Sequence, residues 1–134
     1  KNYIQKFIDI EPTEDELFDF LKQIKSKSNL KLIITSGNLL PKVLKNILPK
    51  VNKLNIIVYE KLDFLELEQV TSKSKILISC HGAISHIAAA LNIKQIDIID
   101  KSYNYSRWSS HFRNYQFVYR EKFNILTNYI IKKL

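Results

Sequence analysis

Residues Ile76–Asp100, ILISCHGAISHIAAALNIKQIDIID, carry the alternation that decides the fold. The apolar run Ile76-Leu77-Ile78 has the length of a buried strand and stops at the polar, flexible group Ser79-Cys80-His81-Gly82. Ile87-Ala88-Ala89-Ala90-Leu91 follows as a helix of small residues, able to approach a sheet closely, and Gln95–Ile99 is a second buried strand. Strand, turn, helix and strand within 25 residues describe a crossover in a parallel sheet. Ligands collect at the carboxyl edge of such sheets, so His81–His86 is the first place to look for a site. The free N–H groups of a helix beginning there, with the positive end of its dipole, suit a phosphate.

Outward from this unit the pattern repeats. Tyr3–Ile10 is expected as a first strand, and Thr13 with Glu16 forms a capping box for a helix to about Ser26, cored by Leu17, Leu21 and Ile24. Leu30–Thr35 is a second strand. It ends at Ser36-Gly37-Asn38, where Asn38 is expected to cap a helix bearing Val43, Leu44, Ile47 and Leu48, with Pro41 in its first turn. Asn55–Tyr59 is a third strand, and Asp63 with Glu66 repeats the capping box before a helix to about Ser72. After Gln95–Ile99 come an irregular stretch Asp100–Asn114, a strand at Gln116–Tyr119 and a closing helix at Glu121–Leu134, with Phe123, Leu126 and Ile130 inward. Strands alternating with helices predict an α/β, Rossmann-like parallel sheet of about five to six strands, helices on both faces, in an order near 3-2-1-4-5-6. Its carboxyl-edge loops would be Ser36–Asn38, Tyr59–Phe64, His81–His86 and Asp100–His111. With no repeat, low-complexity tract or Gly/Ser linker, 1–134 is expected to be a single domain.

Composition narrows the classes. The 134 residues are 46% hydrophobic and 25% charged, the balance of one domain with its own core. Apolar runs are strand-sized and broken by Lys, Asn or Asp, and Lys1–Ile10 has no signal-peptide core. One cysteine, Cys80, allows no internal disulfide and fits a reducing compartment. There is no methionine, which is simplest to read as an excised or processed piece, the C-terminal half of a longer enzyme. The net charge of +8 comes mostly from lysines spread over every helix, with no RNA-binding aromatic motif, zinc finger or basic stripe. Solvated helix faces account for it. The remaining reading is attraction to nucleotide phosphates or to an anionic membrane surface carrying the acceptor.

Individual residues sharpen the site. His81 directly follows a strand and precedes Gly82, which places it at the carboxyl edge. Gly82 either permits the turn or lets backbone N–H groups approach a diphosphate. Ser85 is expected to be an N-cap and a phosphate contact, and His86 either meets a phosphate or holds the loop. Arg107, Arg113 and Arg120 are the chain's only arginines and fall within 14 residues. Their planar forks suit phosphate or carboxylate. Tyr103, Tyr105, Trp108 and His111 lie among them, as a wall for a base or sugar or as plugs pinning the last helix.

Other chemistry finds little support. Cys80 and His81, as neighbours on a strand end, point to opposite sides, which argues against a Cys–His dyad. Two glycines make neither a dinucleotide fingerprint nor a P-loop, and there is no nucleophile elbow. Three histidines without ligand spacing do not suggest zinc. Asp97 and Asp100 are not a metal pair, and Asp97 lies within an otherwise buried strand. No metal and no cofactor is expected.

Ser85-His86-Ile87-Ala88-Ala89-Ala90-Leu91 resembles the second half of the donor-binding motif of GT-B glycosyltransferases, most closely the ADP-heptose:lipopolysaccharide heptosyltransferases (glycosyltransferase family 9). The preceding His81-Gly82-Ala83-Ile84 departs from that family, placing His81 where a sugar-contacting Asp is usual. Other GT-B enzymes put His-Gly at this strand end, facing the donor diphosphate. The resemblance implies the nucleotide-sugar-binding domain of an inverting, metal-independent transferase in surface glycan or lipopolysaccharide synthesis. It would be cytoplasmic, at the inner face of the membrane if peripherally associated. The implied donor and phosphate contacts are His81, Gly82, Ala83, Ser85, His86 and Arg107, with Tyr105, Trp108 and His111 as base or sugar pocket wall. The glycan or glycolipid acceptor would meet an N-terminal domain that also supplies the catalytic base. No catalytic residue is assigned in this chain, which is expected to bind donor without transferring sugar, and no nucleic-acid partner is expected. The alternative is a non-catalytic Rossmann-like interaction module.

Overall fold

A computed structural model describes residues 10–134. The strand expected at Tyr3–Ile10 falls, except for Ile10, outside the described residues. The chain divides into two compact units: residues up to Leu62 with Glu121–Lys132 and Leu134, and Asp63–Arg120 with Lys133.

In the first unit α1 spans Glu14–Lys27. Its capping box forms as expected: Thr13 Oγ1 accepts the Glu16 N–H at 3.2 Å, and a Glu16 carboxylate oxygen accepts the Thr13 N–H at 2.9 Å. Strands β1 (Ile33–Thr35) and β2 (Ile57–Tyr59) pair in parallel, Ile33 opposite Ile57, across helix α2 (Lys42–Lys53). Both strands are shorter than expected. Asn55 takes a left-handed conformation at φ 55°, so the ladder begins only after the turn. Asn38 does not cap α2. The helix starts directly after Pro41, whose extended backbone has no side-chain cap, and it runs on through Pro49 because Leu44, Ile47 and Val51 all bury. Those three residues form a core with Leu21 and Ile56. Helix α6 (Phe123–Ile131) packs against α1 and sets Phe123 edge-on to Phe20 at 5.3 Å.

In the second unit Asp63 and Glu66 complete the expected capping box of α3 (Phe64–Ser72), with bonds of 2.8 and 2.9 Å. Strand β3 (Ile76–Cys80), helix α4 (Ala83–Ala90), strand β4 (Lys94–Ile99), the single turn α5 (Ser106–Ser109) and strand β5 (Tyr115–Tyr119) follow. The three strands form a parallel sheet in the order β3-β4-β5. The central strand is covered on both faces, so Gln95, Ile96, Asp97 and Ile99 are all buried.

The chain is thus α/β with parallel strands, but these lie in sheets of two and three, not in one sheet of five to six. The expected order needs the Tyr3–Ile10 strand between β1 and β3. Among the described residues no backbone ladder joins those two strands.

Candidate functional site

At the end of β3 two neighbouring side chains diverge, as alternation along a strand requires. Cys80 Sγ accepts from Arg120 Nη2 at 2.9 Å, whereas His81 Nδ1 lies 2.6 Å from Asp97 Oδ2. Asp97 is wholly buried. The register places Ser79 opposite Asp97 and Gln95 opposite Tyr115, so these four share one face of the sheet. Asp97 Oδ1 accepts from Ser85 Oγ at 2.9 Å and from Ser79 Oγ at 3.3 Å. A carboxylate removed from water is tolerable only when its lone pairs are met in this way.

Ser85 is not the helix N-cap. Gly82 takes that position, and Ser85, fully buried in the first turn, accepts the Gly82 N–H at 3.3 Å while donating to Asp97. The Gly82 backbone is extended, at φ 179°, so the turn itself does not call for glycine. A Cβ there would meet only the Cys80 carbonyl oxygen, at 3.9 Å. Ala83 is exposed as the first residue of α4.

Aromatic rings surround His81: Tyr105 at 5.0 Å, His86 at 5.6 Å and Phe112 stacked at 6.5 Å. Beside them is a groove of about 500 Å³ lined by residues of α4 and by His111, Phe112 and Arg113. His86 and His111 both set an edge against Phe112, at 5.2 and 4.8 Å. Two imidazoles and a guanidinium around an aromatic floor favour an anion next to a flat or apolar group.

Of the sequence-predicted residues, His81, Gly82 and Ser85 are linked through Asp97, while His86, Tyr105 and His111 join them by ring contacts. His86 and His111 line the groove, whereas His81, Gly82, Ala83, Ser85, Tyr105, Arg107 and Trp108 do not. The guanidinium lies over the indole at 5.5 Å, and Trp108 Nε1 donates to Tyr103 Oη at 3.4 Å. Arg113 is the guanidinium that lines the groove. Sequence reasoning missed the roles of Asp97, Ser79 and Phe112. The signal for the first was an acid inside Ile96-Asp97-Ile98-Ile99, since a buried charge requires partners.

Tyr115, on this same face, has its hydroxyl buried near Ser109 and Asp97 with neither in good hydrogen-bonding geometry. Burial above all, with the Asp97 charge adding to it and Ser109 opposing, pushes its pKa up to about 12. Among the described residues there is no group of three or more His, Cys, Asp or Glu that could hold a metal ion, and no helix long and apolar enough to cross a membrane. Compared with models of known families, with curated proteins and with solved structures, the chain matches none.

Proposed function

We propose that this chain is the nucleotide-sugar-binding domain of an inverting, metal-independent glycosyltransferase of Rossmann-like, GT-B type. The observation that carries the reading is His81, anchored by buried Asp97 at the carboxyl end of a parallel strand and immediately before the N-terminus of α4. Oriented polar groups at that edge are what a ligand needs. The donor diphosphate would lie toward the first turn of α4 and His86, where backbone N–H groups and the helix dipole favour negative charge. Arg113 and His111 extend that field along the groove, and Phe112 or Tyr105 offers a face for a sugar or base. Stabilising a departing nucleoside diphosphate is electrostatic work that such donors perform. The acceptor, a glycan or glycolipid, and the catalytic base belong in this reading to another domain.

Titration with ADP, UDP, GDP and CMP, followed by thermal shift and calorimetry, tests the proposal. One nucleotide at about 100 times its Kd should stabilise the chain by about 2.7 kcal/mol, and the effect should weaken in Arg113→Ala. Arg107→Ala separates the guanidinium over Trp108 from the one in the groove. Absence of any response would favour the second reading, an interaction module. That reading draws on Phe117 and Tyr119, which stand 44% and 42% exposed on β5. Sugar transfer by this chain alone would contradict the proposed division of labour.

A further inference from the structure

The hydrogen bonds around Asp97 have a direction. Ser85 Oγ accepts the Gly82 N–H, so its own proton is free to go to Asp97 Oδ1, where Ser79 also donates. Asp97 therefore acts as an acceptor at that oxygen. At the other, 2.6 Å from His81 Nδ1, one proton must lie between the two heavy atoms. Imidazole holds a proton more tightly than a carboxylate does, so the proton belongs to Nδ1. A neutral ring has only one N–H. Nε2 is then bare, and it makes no hydrogen bond within the described residues. Nor is it among the buried unpartnered polar side-chain atoms of the described residues, which are Gln95 Oε1 and Tyr115 Oη. The His81 side chain is 10% exposed, and the aromatic rings packed against it are Tyr105, His86 and Phe112.

We infer that Asp97 is a positioning residue that holds His81 as the Nδ1–H tautomer, leaving Nε2 to accept a hydrogen bond from a hydroxyl of the bound ligand. A bare nitrogen repels a phosphate oxygen, since both are acceptors, and selects an O–H. In the donor reading above, on which this part rests, His81 therefore recognises a hydroxyl of the sugar, and the diphosphate falls to the α4 N–H groups, His86 and Arg113. The tautomer itself follows from the hydrogen-bond geometry alone.

Imidazole nitrogen shifts decide it, recorded by long-range ¹⁵N–¹H correlation at about pH 7.5, above the ordinary imidazole range, with the three histidines assigned through His86→Gln and His111→Gln. The expected spectrum shows His81 protonated at Nδ1 and bare at Nε2. In Asp97→Asn the amide oxygen should stay with the two serines and its NH₂ should turn to His81, moving the ring proton to Nε2. A wild-type ring carrying its proton at Nε2, or at both nitrogens, would overturn the inference; so would an unchanged tautomer in Asp97→Asn. If that variant does not fold, the wild-type spectrum still decides. The ligand arm compares UDP with UDP-glucose and ADP with ADP-glucose. His81→Phe should weaken the sugar nucleotide about tenfold, the size of one lost hydrogen bond, and leave the bare diphosphate unchanged. Equal weakening of both would put His81 on the phosphates and refute the hydroxyl assignment. If no nucleotide binds, the donor reading and its sugar hydroxyl fall together, while the nitrogen spectrum still decides the tautomer.

Discussion

Asp97 accepts from three side chains while wholly out of water, and this one residue organises the site. Asp97→Ala strips the acceptor from His81 and Ser85 together. It should cost about 3 kcal/mol in urea unfolding, because orphaned buried donors lose more than the bond itself was worth. Gly82→Ala separates two roles that glycine can combine. The extended backbone and the free space around it admit a methyl group, so stability should hold or rise by up to about 1 kcal/mol through the unfolded chain. Any loss of nucleotide affinity in that variant then reports close approach of a ligand to the backbone. Tyr115 titrates near 12 in the folded chain against 10.0 for an ordinary tyrosine. Its raised pKa contributes stability below pH 10 that is lost as the pH rises toward 12, because the unfolded chain releases that proton first. Alkaline unfolding of Tyr115→Phe should lack this component, and its phenolate absorbance should differ from wild type only at the top of the window.

At the scale of elements, the capping signals were legible because they are local. Thr13 with Glu16 and Asp63 with Glu66 each need only a turn of chain, and both form. Asp63→Ala should lower stability by about 1 kcal/mol, read as a shift in the urea midpoint. Asn38→Ala should change it far less, since α2 begins at Pro41 without a side-chain cap. Apolar periodicity likewise placed all five described strands and the faces of α1, α2 and α6. What it could not give was length at strand ends. Leu30–Leu32 and Asn55–Ile56 have strand composition but lie outside the ladder, which is set by the partner's register.

At the scale of the whole molecule, Leu21, Leu44, Ile47, Val51 and Ile56 form an apolar core in the first unit, and Ala88, Ile93, Ile96, Ile99 and Val118 are buried in the second. Ile47→Ala and Ile96→Ala, each under 2% exposed, should each cost about 2–5 kcal/mol by the cavity left behind. The charge of +8 makes a separate prediction at this scale: any oligonucleotide binding should fade steeply between about 50 and 200 mM salt. By itself the sequence determined the alternation of strands and helices, the parallel pairing and the carboxyl-edge position of His81. These follow from periodicities and crossovers written into neighbouring residues. Only the tertiary structure decided that Asp97 holds His81 and Ser85, that Arg113 rather than Arg107 lines the groove, and that the described strands form sheets of two and three. Those outcomes depend on register and on loop paths between residues far apart in the chain, where hydrogen bonds are chosen by geometry that no local pattern encodes.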